Sequence, residues 1–413
     1  MSFLALVLVS PHAGGADFAL RDGDTVVFLG DSITAARTYG KVVENYTLLR
    51  FPDRKVRFLN AGWGGDTAAG GLKRLDRDVF ARGATVLIVA YGVNDIGWGA
   101  KADAEHKQIY LDAIRGIVER CKDRGIRVFI CSAAITGQDP DKSEHDFLQT
   151  MCDEGMALAR SAGAGAIDVQ RTMRAIQRKV LAERAGAKEE KEKADLTLHA
   201  GDGIHLNDLG QLAMAFAILK GLGGPADVSS ATLDAGKAAV VEAKGCRVSN
   251  FKGDPTHLEF DRLDEGLPIN FGLFGALRFR FVPIPDELNR YMLAVKGLPE
   301  GRYEVVADGR SLGSFMADRL DSGVNISSAT ADGWEPGGPW EAQAWSLNEL
   351  TDARNDLALA GRTAHHYLPN YPDWDSFRKG ADDVNAHIEV LQRTLVRPRP
   401  FHFVVRPAGA KKS

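Results

Sequence analysis

The sequence predicts a three-layer α/β/α fold, a parallel sheet covered by helices on both faces, followed by a β-rich and then helical extension. Two observations predict it. Between residues 24 and 222, short continuously apolar segments alternate with amphipathic helical segments, which is the pattern of a parallel sheet buried on both faces. After about residue 226 the pattern changes to strands separated by hairpin turns, and after about residue 338 it becomes helical again.

Five strands are predicted in the first region, in the segments DTVVFLG, RKVRFLNAG, ATVLIVAYG, RVFICSAA and GAIDVQ. Helical spacing occurs between them, for example where Ile109, Ile114 and Val118 recur in HKQIYLDAIRGIVERCKDRG. A charged helix is predicted at about 171–195, and NDLGQLAMAFAILKGLG is predicted to be the last helix of this region. Functional residues of such a sheet are expected beyond the carboxyl ends of its strands.

The length of 413 residues exceeds that of one ordinary domain. Four parts are predicted: a tail or signal-peptide remnant at 1–20, a first domain at 21–225, a β-rich accessory region at 226–336, and a helical region at 337–413 that packs on the first domain. The segment RPRPFHFVVRPAGAKKS is interpreted as a proline-bearing tail.

The composition, 45% hydrophobic and 26% charged, is that of a soluble globular protein. A formal net charge of −4 gives no electrostatic reason to expect binding to nucleic acid or to an anionic membrane. The apolar run from Phe3 to Val9 is similar to a trimmed secretory signal peptide but too short to span a bilayer. It predicts a secreted or periplasmic location; because no Lys or Arg precedes it, a cytoplasmic location is the alternative.

The cysteines have no metal-binding pattern. The four residues form no CxxC pair, so buried free thiols are expected at Cys121, Cys131, Cys152 and Cys246. The sequence also lacks an HExxH helix and a phosphate-binding glycine loop. No metal and no cofactor are therefore predicted.

Four segments that follow predicted strands, or precede the last helix, carry the residues that nucleophilic acyl transfer requires. Ser32 follows the first strand in FLGDSIT, and its alternative role is to cap the next helix. Gly65 in NAGWGGDT and Asn94 in YGVND offer N–H donors for an oxyanion. In DGIHLN, Asp202 precedes His205 by three residues, a spacing that lets the carboxylate meet the imidazole nitrogen that faces away from the serine.

These segments, in this order, resemble the conserved blocks of the SGNH hydrolases, or GDSL-type esterases, over residues 24–222. GDSI matches the first block, with isoleucine in place of the usual leucine. The resemblance implies an SGNH/flavodoxin-like sheet, with Ser32 as nucleophile, His205 as general base and Asp202 as its orienting carboxylate. It also implies an oxyanion hole made of the backbone N–H groups of Ser32 and Gly65 and the side chain of Asn94. Family members hydrolyse esters, thioesters and sugar O-acetyl groups without a metal or cofactor.

The predicted substrate is an acyl ester, foremost an acetyl ester, of a carbohydrate or small molecule. Trp63 and Trp98 lie within the matched blocks and suit either stacking on a sugar or walling the pocket. Asp31, Asp66 and Asp95 are further candidates for contact with substrate. A lipase or thioesterase acting on lipid or small acyl esters is the alternative enzyme, and a non-catalytic carbohydrate-binding protein on a hydrolase scaffold is the alternative of another class.

A second serine has a motif of its own. GRSLG places Ser311 in a G-x-S-x-G pattern, which acts as a nucleophile elbow only at a strand-to-helix turn. Its surroundings, YEVVADGRSLGSFMA, predict a strand, a turn and a second strand. Ser311 is therefore expected in a hairpin and not in an active site.

Overall fold

The computed structural model describes residues 18–271, 277–368, 370 and 372–409, without the side chains of residues 192, 362 and 364–367. Most of the tail predicted at 1–20 therefore lies outside the described residues. In the part of the chain that is described, none of the helices has the length and apolar character needed to cross a bilayer.

Five parallel strands form the first sheet, in the order β2-β1-β3-β4-β5. They are β1 (Thr25–Gly30), β2 (Arg57–Gly62), β3 (Val86–Ala90), β4 (Arg127–Cys131) and β5 (Gly165–Ile167). Every residue of β3 is buried, as expected for a strand covered on both faces. The chain moves outward in opposite directions from β1, to β2 on one side and β3 on the other. The carboxyl ends of these strands therefore flank the position at which open α/β sheets bind ligands.

Helices cover both faces of this sheet, which confirms the predicted three-layer fold. They are α1 (Ser32–Ala35), α2 (Thr38–Arg50), α3 (Ala68–Lys73), α4 (Leu75–Asp78), α5 (Ala104–Lys122), α6 (Pro140–Ser143), α7 (Phe147–Ser161), α8 (Val169–Gly186), α9 (Glu190–Asp195) and α10 (Asp208–Gly221). Because side chains alternate along a strand, Val26 and Phe28 of β1 belong to the core formed with α2, α8 and α10. Val27 and Leu29 belong to the opposite core, formed with α3, α5 and α7. The helix predicted at 171–195 is divided into α8 and α9.

Two further sheets follow α10. Their strands are β6 (Asp227–Asp234), β7 (Ala239–Lys244), β8 (Cys246–Asp254), β9 (His257–Asp264), β10 (Arg290–Lys296), β11 (Arg302–Ala307), β12 (Arg310–Met316), β13 (Val324–Asn325) and β14 (Phe401–Pro407). One sheet has the order β13-β10-β6-β7 and the other the order β12-β11-β14-β9-β8. The helices of this half, as far as its residues are described, include α11 (Ile284–Glu287), α12 (Ala317–Ser322), α13 (Pro339–Tyr367) and α14 (Trp374–Leu395).

Strand β14 lies in the segment that the sequence analysis interpreted as a proline-bearing tail, and that interpretation is wrong. The strand is central in its sheet, between β11 and β9. Phe401, Phe403 and Val405 alternate along it and are fully buried, and the Phe403 ring stacks on Phe260 with centroids 5.2 Å apart. Pro398 and Pro400 precede the strand and Pro407 is its last residue, so no proline lies in its interior.

Helices α13 and α14 pack as an antiparallel pair against α2 of the first region. The contact is polar and buried. Arg354 of α13 donates from Nη2 to Oε2 of Glu44 at 3.0 Å and to the carbonyl oxygen of Phe58 at 2.9 Å. Gln392 of α14 donates from Nε2 to Oε1 of Glu44 at 3.1 Å and to Oγ1 of Thr351 at 2.8 Å. This network joins α13 and α14 to α2 and β2 of the first sheet region.

The second half also covers α10. Eleven consecutive residues of that helix, from Leu209 to Leu219, are buried, as in a helix enclosed on all sides. They belong to the same core as Val228, Phe260 and Trp340 of the second half. The predicted boundaries at residues 225 and 336 fall between α10 and β6 and between β13 and α13.

Candidate active site

The turn from β1 to α1 presents Ser32 at the carboxyl edge of the first sheet. Gly30 has no room for a side chain, because a Cβ there would lie 2.7 Å from the carbonyl oxygen of Ala90. Asp31 is the N-cap of α1, and its Oδ1 accepts the N–H of Ile33 at 2.9 Å. Ser32 is the first helical residue. The alternative role of Ser32 as a cap is therefore excluded by Asp31, and its hydroxyl is free to bond elsewhere.

Ser32, His205 and Asp202 form one hydrogen-bonded chain. The distance from Ser32 Oγ to His205 Nε2 is 2.9 Å, and that from His205 Nδ1 to Asp202 Oδ2 is 2.6 Å. Asp202 Oδ1 also accepts the backbone N–H groups of Ile204 and His205, each at 2.9 Å. The hydrogen bond from His205, with these two N–H groups, holds the pKa of Asp202 well below its usual range. An ionised Asp202 fixes a proton on Nδ1, so Nε2 accepts the hydroxyl proton of Ser32.

Gly65 and Asn94 lie in loops that meet beside this turn. The N–H of Trp63 donates to the carbonyl oxygen of Gly30 at 2.9 Å, which places the loop after β2 against the end of β1. Asn94 Nδ2 donates to the carbonyl oxygen of Asp66 at 3.0 Å, next to Gly65. Gly65 has φ +73°, a conformation that favours glycine. Over the described residues, the backbone N–H groups of Ser32 and Gly65 have no hydrogen-bond partner, so both are available as donors.

The three acidic candidates for substrate contact are engaged inside the protein. Asp66 Oδ2 accepts from Arg74 Nε at 2.8 Å and from the Tyr91 hydroxyl at 2.7 Å. Asp95 is buried, its Oδ1 accepts the N–H of Ala68 at 2.9 Å, and burial raises its pKa to about 7. Asp31 is buried at its capping position, and burial raises its pKa to about 6. These positions give no support to a direct contact between any of the three and a substrate.

Arg74 and Tyr91 are the supporting residues that the sequence analysis missed. Arg74 donates from Nη2 to the Tyr91 hydroxyl at 2.8 Å and to the carbonyl oxygen of Gly30, two residues before the serine, at 3.2 Å. It is also paired with Asp66 and Asp78. Arg74 lies between the short helices α3 and α4 and carries no local sign of such a role, because its partners belong to different elements.

The two tryptophans differ in exposure. Trp63 is half-buried. Trp98 is 55% exposed, and its ring stands edge-on to the His205 imidazole with centroids 6.0 Å apart. Its Nε1–H donates to Asn94 Oδ1 at 2.8 Å. Trp98 therefore borders the site through both the imidazole and the carboxamide.

Other predicted features lie away from this centre. Ser311 is in β12, after the turn at Asp308 and Gly309 that joins it to β11, as the sequence predicts. The four cysteines are free thiols; Cys121, Cys131 and Cys152 are buried as predicted, whereas Cys246 is only half-buried. Among the described residues there is no group of three or more His, Cys, Asp and Glu side chains arranged to hold a metal ion.

A parallel α/β/α sheet with a Ser–His–Asp chain beyond its carboxyl ends is typical of α/β serine hydrolases. Residues 28–213 match the model of the GDSL-like Lipase/Acylhydrolase family. This region belongs to that family, and the protein is an ester-hydrolysing enzyme. None of the curated proteins matches the sequence significantly.

Solved structures resemble the chain to different extents. A gut microbial diltiazem-metabolizing enzyme is 23% identical with a TM-score of 0.78, covering 94% of this chain and 98% of its own. An alpha/beta hydrolase enzyme from the metagenome of Lake Arreo, Spain, is 20% identical with a TM-score of 0.40, covering 50% of this chain and 98% of its own. An acetylxylan esterase from Geobacillus stearothermophilus is 20% identical with a TM-score of 0.40, and the match covers 50% of this chain and 96% of the esterase. The first of these structures shares the fold of both halves of the chain. At 23% identity this similarity concerns the fold alone.

Proposed function

We propose that this enzyme hydrolyses short acyl esters, foremost acetyl esters, of a carbohydrate by a Ser–His–Asp mechanism with an acyl-enzyme intermediate. The observation that carries the mechanism is the hydrogen-bonded chain from Ser32 through His205 to Asp202, with contacts of 2.9 and 2.6 Å. These distances lie within the reach of a nucleophile–base pair and of a base–orienter pair.

In the first half of the reaction, Ser32 Oγ attacks the ester carbonyl carbon while His205 Nε2 takes the hydroxyl proton. The imidazolium that forms is stabilised by the Asp202 carboxylate on Nδ1. The negative charge that develops on the carbonyl oxygen is met by the N–H groups of Ser32 and Gly65 and by Asn94 Nδ2. His205 then gives its proton to the leaving alkoxide, and the alcohol departs.

In the second half, water replaces the alcohol. His205 Nε2 takes a proton from this water as the hydroxide attacks the acyl-Ser32 carbonyl. The same donors meet the second oxyanion. Collapse returns the proton to Ser32 Oγ and releases the carboxylic acid.

The surroundings of the serine support a short acyl group and a sugar alcohol. A small cavity of about 10 Å³, roughly the space of one water molecule, is lined by Asp31 and Ile33, on either side of Ser32 in the chain, and by the small side chains of Ala90, Ala133 and Ala134. It has no room for a long acyl chain. The exposed ring of Trp98 beside His205 offers a face on which the apolar side of a sugar can lie.

The substrate class is tested by comparing acetate release from acetylated oligosaccharides with the hydrolysis of p-nitrophenyl esters of two to sixteen carbons. The proposal predicts that kcat/KM is highest for acetyl esters and falls steeply as the acyl chain lengthens. A preference for long acyl chains, or an absence of acetate release from acetylated sugars, contradicts the substrate proposal and leaves the mechanism to be tested at Ser32.

A further inference from the structure

The backbone at Trp98 is strained. Trp98 has φ 57° and ψ 29°, and the neighbouring glycines Gly97 and Gly99 have φ of 52° and 97°. A non-glycine residue in this left-handed region costs roughly 1–2 kcal/mol, and such strain is concentrated at functional sites. The Trp98 side chain is 55% exposed, so burial in the core does not compensate for this strain.

The strained loop brings the indole onto two groups of the site. The N–H of Trp98 donates to the carbonyl oxygen of Val93 at 3.0 Å, and that of Gly97 donates to the carbonyl oxygen of Asn94 at 3.0 Å. These bonds fold the loop back over Asn94. In this position the indole N–H reaches Asn94 Oδ1 at 2.8 Å, and the indole lies nearly perpendicular to the His205 imidazole, at an interplanar angle of 82°.

We propose that Trp98 is a positioning residue that orients the Asn94 carboxamide as an oxyanion donor, an inference that rests on the proposed function. Asn94 Nδ2 carries two hydrogens, and one of them donates to the carbonyl oxygen of Asp66. With Oδ1 held by the indole, the amide is fixed at both ends, and the second Nδ2 hydrogen faces away from Asp66. The hydrogen bond to Oδ1 also polarises the amide, which makes Nδ2 a stronger donor.

This role has a different kinetic signature from that of a sugar platform. A residue that only binds the alcohol affects substrate affinity, so its loss raises KM. A residue that orients an oxyanion donor acts mainly on the transition state, so its loss lowers kcat with little change in KM. Since Trp98 would act through Asn94, its effect also has to vanish when the Asn94 carboxamide is absent.

The test is a double-mutant cycle on p-nitrophenyl acetate with Trp98→Phe, Asn94→Ala and the double variant. Phenylalanine keeps an aromatic ring at this position, although a smaller one, and removes the N–H donor. Asn94→Ala is expected to lower kcat roughly 10²–10³-fold. Trp98→Phe is expected to lower kcat about tenfold with KM within twofold, and to cause no further loss in the Asn94→Ala background.

Trp345→Phe is the matched control, because Trp345 on α13 is 49% exposed and its Nε1 donates to Glu349 Oε1 at 3.2 Å. It is expected to leave kcat unchanged. If Asn94→Ala retains full activity, the oxyanion assignment in the proposed function fails. If Asn94→Ala is impaired, the role of Trp98 is overturned by an unchanged kcat in Trp98→Phe, by an equal loss in both backgrounds, or by an effect on KM alone.

Discussion

Replacing Arg354 by alanine is expected to destabilise the protein strongly, because it leaves a buried carboxylate without its cation. The Arg354 and Glu44 side chains are 7% and 4% exposed. Without the guanidinium, Glu44 keeps the hydrogen bond from Gln392, and the carbonyl oxygen of Phe58 loses its side-chain donor. Removing one partner of a buried ion pair costs about 3–5 kcal/mol of unfolding free energy.

The shift in melting temperature follows from the chain length. An unfolding entropy of about 2.1 cal/mol/K per residue over roughly 400 residues gives about 0.8 kcal/mol/K, so the expected loss lowers Tm by about 4–6 °C. Burial raises the pKa of Glu44 in spite of Arg354. When folding raises the pKa of a carboxyl, the folded protein loses stability as pH rises. The difference in unfolding free energy between the parent and Arg354→Ala is therefore expected to be larger at pH 8 than at pH 5.

Thermal unfolding at both pH values measures these effects. Arg378→Ala is the control, since it breaks a solvent-exposed pair with Asp375 and is expected to change stability by less than about 0.5 kcal/mol. A change in Tm of less than about 1 °C for Arg354→Ala refutes the reasoning that this network fixes α13 and α14 on α2.

Three further predictions concern titration, mechanism and the second half. Asp95 has its pKa raised by burial to about 7, so the wild type loses stability as pH rises from about 4 through 7, by up to about 4 kcal/mol. Asp95→Asn, which keeps an acceptor for Ala68, should flatten the dependence of Tm on pH between 5 and 8, and an unchanged slope contradicts this. Asp202→Asn should lower kcat roughly 10⁴-fold by allowing the wrong tautomer of His205; a loss below tenfold in steady-state assays argues against its role. A fragment ending at residue 225 exposes the buried faces of α2 and α10 and should aggregate in size-exclusion chromatography, whereas a soluble, fully active fragment contradicts a supporting role for the second half.

Much of the first sheet and its edge could be predicted because the signals are local. Each strand is an apolar run, and the candidate site residues follow directly, as Ser32 follows β1 and Asn94 follows β3. Since parallel strands present their carboxyl ends at one edge, chain order alone brings these segments together. The three-residue spacing of Asp202 and His205 similarly fixes their contact within one turn.

The roles of the acidic residues could not be predicted, because their partners are distant in sequence. Asp66 is engaged by Tyr91, 25 residues further along the chain, and Asp95 by the N–H of Ala68, 27 residues before it. Asp31 and Ser32 are equally good capping residues by type, so only the backbone geometry decides between them. Strand β14 was missed because its flanking prolines resemble those of a tail, while its neighbours β9 and β11 precede it by about a hundred residues or more.

The role of Ser32 as nucleophile is tested most directly by the kcat of Ser32→Ala on p-nitrophenyl acetate, with Ser311→Ala, the serine of the other motif, as the control. The structure predicts that Ser32→Ala remains folded and loses kcat on the order of 10⁶-fold, while Ser311→Ala keeps the parental rate. A Ser32→Ala enzyme that retains the parental kcat contradicts the mechanism.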